Sequence, residues 1–276
     1  MSHEYRAALS LFDGEFGSQA SHLAEQTVSW CRDHGAQILY PGHDDYPFTD
    51  GSLESPPRFL SYWGSPVWRH HPLLAVVGSR NPSRLAVDWL EIHLTRFAQK
   101  TSSAIVSGGA CGIDQKAHLI AVRLEKPTIV FLPSGLAKPY PKDWLKWKDD
   151  VVASGGALVS INSPFQEVRK FHFERRNRLI AALSSLVFVV EARRKSGSSM
   201  TARLAREMNR TICCLPGSPL DPRCAGTVDL LFEGGFPVRD AEDLEILFSI
   251  STPGHGASSK LRLQNNQLSL AISPSP

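Results

Sequence analysis

The residues with the most chemical potential in this sequence lie in short polar clusters, each following an apolar run. Leu73–Val77 runs into Gly78-Ser79-Arg80-Asn81-Pro82-Ser83. Glycine there permits a tight turn, small residues expose backbone N–H groups, and an arginine can hold a phosphate with two parallel hydrogen bonds. Ala104–Ser107 closes on Gly108-Gly109, which let a backbone or a ligand come close. Asp114 and His118, four residues apart, could act as a catalytic acid–base pair on one helix face; the same spacing also suits an aspartate capping a first turn and a histidine bonding locally. Lys138, Tyr140 and Lys142 sit between prolines in a stiff, basic, aromatic loop. Phe173, Arg175, Arg176, Asn177 and Arg178 fall at or near the expected start of a helix, where cationic side chains oppose the helix dipole, so their placement points to anion binding. Phe173 could stack on a base or anchor the helix. Arg193-Arg194-Lys195 leads into Ser196-Gly197-Ser198-Ser199, a candidate phosphate nest with a serine to cap the next helix. Along that helix Arg203, Arg206 and Arg210 form one basic stripe suited to a polyanion.

Charge is distributed unevenly. The formal net charge is only +3, yet Arg169–Arg210 holds eleven Lys/Arg against Glu174, Glu191 and Glu207, a local +8 that leaves the rest of the chain at −5. One basic face on a mildly acidic body is the electrostatic footprint of a nucleic-acid partner. The five cysteines (Cys31, Cys111, Cys213, Cys214, Cys224) are scattered and form no C-x-x-C pair, which argues against a disulfide framework or structural zinc and for buried free thiols. No cofactor or metal is expected. No apolar run reaches the ~20 residues of a spanning helix, and the first residues lack a secretory pattern, so no membrane association and a cytoplasmic location are expected.

Such clusters need a frame. Short runs, apolar throughout (Leu73–Val77, Ala104–Ser107, Thr128–Leu132, Ala157–Ser160, Leu186–Glu191, Thr211–Leu215), alternate with segments of helical length (Arg84–Lys100, Ile113–Leu124, Glu174–Leu183, Ser199–Met208, Ala241–Phe248). That alternation predicts an α/β fold, a Rossmann-like doubly wound, mostly parallel sheet covered on both faces, with ligands outside the carboxyl ends of the strands. Residues 1–72 read as a short N-terminal extension, with a helix over 18–34, a strand over Ala36–Tyr40 and a Pro-rich, aromatic-rich lead-in; residues 73–250 form the Rossmann-like domain, and 251–276 a flexible tail. The lead-in's aromatics must pack on a neighbour or bind something flat.

In order, the segments VVGSR, IVSGGACGIDQKAH, TIVFLPSGLAKPYP, FERRNRLIAALS, VFVVEARRKSGSSMTARLA and CCLPGSP make the chain, from about Tyr46 to Gly235, resemble the DNA-processing protein A (DprA/Smf) family. The resemblance implies a single-stranded DNA-binding protein without catalytic activity. Such a protein protects incoming DNA and helps load RecA recombinase in natural transformation, commonly as a homodimer. The family's G-(S/T)-R motif falls on Gly78, Ser79 and Arg80, and its F-x-x-R-N motif on Phe173, Arg176 and Asn177. The chain departs from the family pattern at Gly109-Ala110-Cys111, at Ile161 and at Asp229. Two alternatives come from other classes. A nucleotide hydrolase of the lysine-decarboxylase-like (LOG) phosphoribohydrolase type would need a P-G-G-x-G-T-x-x-E loop that this sequence lacks, with Glu191 preceding its glycine-serine turn. A small-nucleotide sensor would use the same anion-binding loops.

Overall fold

The computed structural model describes residues 1–12 and 19–252. Its elements in chain order are α1 (His3–Leu9), α2 (Ala20–Asp33), β1 (Gln37–Leu39), β2 (Leu60–Gly64), β3 (Leu73–Val77), α3 (Arg84–Trp89), α4 (Thr95–Lys100), β4 (Ala104–Ser107), α5 (Ile113–Arg123), β5 (Thr128–Phe131), α6 (Trp144–Ala153), β6 (Ala157–Ser160), α7 (Lys170–Leu183), β7 (Leu186–Val189), α8 (Gly197–Glu207), β8 (Thr211–Cys214), α9 (Ala225–Phe232), β9 (Phe236–Pro237) and α10 (Ala241–Ser251). A π-helical turn, Leu90–Leu94, joins α3 to α4, so the helix expected over Arg84–Lys100 is continuous. The expected tail lies, beyond Thr252, outside the described residues.

The strands form one sheet in the order β1-β2-β6-β5-β4-β3-β7-β8-β9. Every pairing from β6 to β9 is parallel; β1 and β2 add an antiparallel edge through Ser61 opposite Ser160 and Leu39 opposite Leu60. The fold is thus Rossmann-like with a mostly parallel sheet, and two strands of the N-terminal extension belong to that sheet. Strand β3 shows why its run is apolar throughout. Leu73, Ala75 and Val77 pack on the face covered by α7 and α8, while Leu74 and Val76 pack on the face covered by the α3–α4 helix, α5 and α10. Each such fully buried Leu or Val contributes about 1.5–3 kcal/mol relative to exposure. A third cluster, with Trp63, Leu132 and Trp144, sits under α1, α2 and α6 at the sheet edge.

The lead-in's aromatics pack: Tyr46, Phe48, Tyr62 and Trp63 are buried, and Trp68 Nε1 donates to Asp45 O at 2.8 Å. Two local features differ from the sequence expectations. Helix α7 begins at Lys170, a turn before Glu174, because His172 Nδ1 accepts from the Arg169 N–H and closes an earlier cap. Arg175–Arg178 therefore lie inside the helix and not at its start. Among the cysteines, Cys31, Cys213 and Cys214 are buried and Cys224 is intermediate, but Cys111 is exposed in the loop after β4. No helix among the described residues is long and apolar enough to cross a membrane.

Candidate functional site

From β3 the chain proceeds to β4 on one side; from β7 it proceeds to β8 on the other. Loops diverge at such a switch point and leave a crevice outside the carboxyl ends of the strands. A cleft of about 360 Å³ occupies it, walled by Gly78–Asn81 after β3 and by Ala192, Arg193 and Ser196–Ser198 after β7. One stripe of α7 closes it with Phe173, Arg176, Asn177 and Ile180, the i, i+3, i+4, i+7 spacing of a single helix face. Ala110 reaches it from the loop after β4, and Asp114 from the first turn of α5.

Arg176 defines the floor. Its side chain is 5% exposed, and Nη1 donates to Phe131 O at 3.1 Å. Its Nε has no hydrogen-bond partner among the described residues. Burial lowers its pKa to about 10, so it stays a cation at neutral pH. Room for the guanidinium comes from Gly108: a Cβ there would lie 1.6 Å from Arg176 Nη1. Asp114, also buried, accepts from the Gly108 N–H (3.2 Å) and the Ala110 N–H (3.4 Å), which fixes the turn around that guanidinium. Its carboxyl pKa is pushed up by burial and held back by the nearby Arg176 charge.

The mouth is cationic and aromatic. Arg80 is exposed with its guanidinium 5.3 Å from the centre of the Phe173 ring, Arg176 lies 5.9 Å from the same ring, and Tyr140 meets it edge-on at 6.0 Å. Behind Arg80 the chain is locked: the Ile113 N–H donates to Ser79 O at 3.1 Å, and Gly112, at φ 88°, brings its Cα so near that a Cβ would lie 2.3 Å from Ser79 O. The third wall is the start of α8. Ser196 Oγ accepts from the Ser199 N–H (3.2 Å), Ser198 Oγ donates to Gly78 O (2.7 Å), and Asn177 Nδ2 donates to Gly197 O (3.3 Å). These bonds aim the first N–H groups of α8, the positive end of its dipole, at the cleft. Two arginines, a helix start and a ring at the mouth can hold a phosphate with a flat group above it.

Gly78, Ser79, Arg80, Phe173, Arg176, Asn177, Ser196, Gly197 and Ser198 are thus brought together. The other residues singled out in the sequence stand elsewhere. Ser107 is buried and donates to Val76 O at 2.6 Å. Gly108 backs Arg176, and Gly109 packs against Trp144, whose Nε1 donates to Gly109 O at 2.8 Å. Lys138 and Lys142 are exposed in the loop that carries Tyr140, and Arg175 and Arg178 are exposed on α7 away from the cleft wall. His118 does not line the cleft; it bonds Thr128 Oγ1 at 2.7 Å inside the core. Glu191 accepts from the Ser83 N–H (3.1 Å) at the start of α3, which occupies its carboxylate structurally. Ile180 and Thr201, missed in the sequence, look there like ordinary core positions; Arg193 was visible as the first cation after a strand.

The family profile of DNA recombination-mediator protein A matches residues 37–248. DNA processing protein DprA of Bacillus subtilis is 33% identical over 214 residues, 77% of this chain and 71% of that one. Its counterpart in Streptococcus pneumoniae is 35% identical over 201 residues, 73% of this chain and 70% of that one. The X-ray structure of DprA from Streptococcus pneumoniae superposes with a TM-score of 0.70 at 28% identity, covering 88% of this chain and 92% of that one. DNA processing protein A from Helicobacter pylori, whose structure describes its single-stranded DNA binding mode, gives a TM-score of 0.65 at 29% identity, covering 76% of this chain and 94% of that one.

Proposed function

Because the chain belongs to the DNA recombination-mediator protein A family, we propose that it binds single-stranded DNA through the cleft between β3 and β7, without catalysing a reaction on it. The observation that carries this reading is Arg176: a buried cation in the wall of a cleft whose rim supplies Arg80, the Phe173 ring and the start of α8. Burying a cation is costly unless an opposite charge stands near it, and a phosphate in the cleft supplies that charge. Phe173 then offers a face to a base, which a single strand can present and a duplex cannot. The same reading makes RecA recombinase a partner for loading onto the bound strand and the protein a homodimer; affinity capture with purified RecA and light scattering on the full chain test these two.

Binding of labelled single-stranded and duplex oligonucleotides, followed by fluorescence anisotropy, tests the core claim. Arg80 is exposed, so Arg80→Ala should leave the melting temperature unchanged. Loss of one charge-assisted phosphate contact, worth ~1.5–3 kcal/mol, should weaken single-strand binding by about ten- to a hundredfold. Equal affinity of parent and variant, or a preference for duplex, would remove the cleft as the DNA site.

A further inference from the structure

The cleft is one end of a longer row of rings. Phe173 meets Tyr140 in the loop after β5. That loop is bonded to the loop after β6, through the Gly135 N–H to Gln166 O (2.8 Å) and the Ala137 N–H to Pro164 O (3.0 Å). The β6 loop presents Phe165, 44% exposed, edge-on to Trp30 of α2 at 6.1 Å. Trp30 stacks on the exposed His34 ring at 4.4 Å and 15°, and leans on Trp63, which carries the Lys148 ammonium 4.9 Å from its ring centre. Helix α2 is fixed to the same loop by Thr27 Oγ1 and Ser163 Oγ, 3.3 Å apart. Tyr140 and Phe165 stand in loops that follow the carboxyl ends of the parallel strands β5 and β6, so they lie along one rim of the sheet; α2 runs down from that rim, with Thr27 near Ser163 and His34 beside Trp63, which pairs with Leu158 of β6. Lys138 in the loop after β5, Arg169 just before α7 and Lys170 in its first turn are exposed, and among the described residues none of them is in an ion pair.

We propose that this rim carries the single strand onward from the cleft, and that Phe165, with Trp30 beside it, forms a second base-stacking platform. The inference rests on the cleft being the single-strand site. Exposed rings joined to the cleft by segments whose cations hold no carboxylate among the described residues match a chain that alternates flat bases and phosphates. The distances also fit. Strand β6 is the third from β3, and at about 4.8 Å per strand the platform lies ~14 Å along the sheet from the cleft, roughly four stacked nucleotides at 3.4 Å each.

The test uses the full chain with labelled oligothymidylates of about two and about twelve nucleotides, lengths that fill the cleft alone and the cleft plus rim. Phe165→Ala should weaken binding of the longer strand about fivefold or more and leave the shorter one unchanged. Trp30→Phe keeps a ring against Trp63 and removes the half-buried indole: the longer strand should quench tryptophan emission less in this variant than in the parent, while the shorter strand gives equal, small changes in both. If Phe165→Ala binds the longer strand as tightly as the parent, or if the short strand quenches Trp30 as fully as the long one, the platform is overturned while the cleft stands. If the parent binds neither length, the cleft reading falls and takes the platform with it.

Discussion

A missing methyl group determines where the charge in the cleft can sit. The Cβ that Gly108 lacks would fall 1.6 Å from Arg176 Nη1 and 2.3 Å from its Cζ. Gly108 is not among the glycines at positive φ, so its backbone accepts an alanine, and the added carbon must move the guanidinium instead. Gly108→Ala should therefore cost about 1–3 kcal/mol in stability, as overpacking does. It should also weaken single-strand binding about tenfold, the loss of one well-aimed charged contact. Urea unfolding and anisotropy check the two effects separately. A variant that loses stability but binds as the parent does would mean that the exact seat of Arg176 is irrelevant to the ligand. Asp114 belongs to the same unit: its carboxylate holds the two amides of the turn that leaves this space. The acid–base pairing with His118 that the sequence allowed is thus replaced by two separate structural roles.

His118 works between elements, tying α5 to β5. Thr128 Oγ1 gives its only proton to Ile105 O (2.8 Å), so it accepts from His118 Nδ1 (2.7 Å), which leaves Nε2 bare and without a partner among the described residues. Protonating Nε2 would place a charge in a fully buried site; burial, and after it the Arg176 charge, lowers the His118 pKa to about 3. The unfolded histidine titrates near 6.5. As pH falls below that value the unfolded chain takes up a proton that the folded chain refuses, so stability drops by about 1.4 kcal/mol per pH unit. His118→Phe removes this titration. Between pH 7 and pH 5 the parent should lose about 2 kcal/mol more than the variant, read from urea midpoints; equal losses would mean that His118 is protonated in the fold. At this scale the sequence reveals elements according to how fully they are buried. Strands β3, β4 and β6 are legible because both faces are covered, which forces unbroken apolar runs. Strand β2 is not, although Leu60–Trp63 are buried, because Ser61 and Gly64 interrupt its apolar run and Pro57 and Pro66 stand close on either side. Helix α6 is hidden behind the basic loop that precedes it. The site is legible where a motif sits on a strand end, as with Arg80, and opaque where a residue such as Thr201 serves the core and the cleft wall alike.

Across the whole molecule, the +8 run is partly cancelled by acids distant in sequence. Arg194 pairs with Asp229 (2.8 Å), Arg206 with Glu233 on the far side of α9, and Arg210 with Asp50 (2.7 Å), 160 residues away. Nothing in the spacing of Arg203, Arg206 and Arg210 announces those partners, so the stripe looks more uniformly basic in sequence than it is in the fold. The cations that keep their charge free of ion pairs among the described residues include Arg80 and Arg193 at the cleft and Lys138, Lys142, Arg175 and Arg178 around it. A cation that already holds a carboxylate releases no counterion from a bound strand, whereas a free one releases about 0.7 ion per phosphate neutralised. The logarithm of the single-strand affinity, plotted against the logarithm of salt concentration, separates the two classes. Arg193→Ala should flatten that line by about 0.7 and weaken binding at low salt. Arg206→Ala removes a half-exposed ion pair, so it should cost at most about 1 kcal/mol in stability and leave the slope unchanged. Equal flattening by both substitutions would show that Glu233 yields Arg206 to the strand, and that the basic track extends along α8 as its sequence alone suggests.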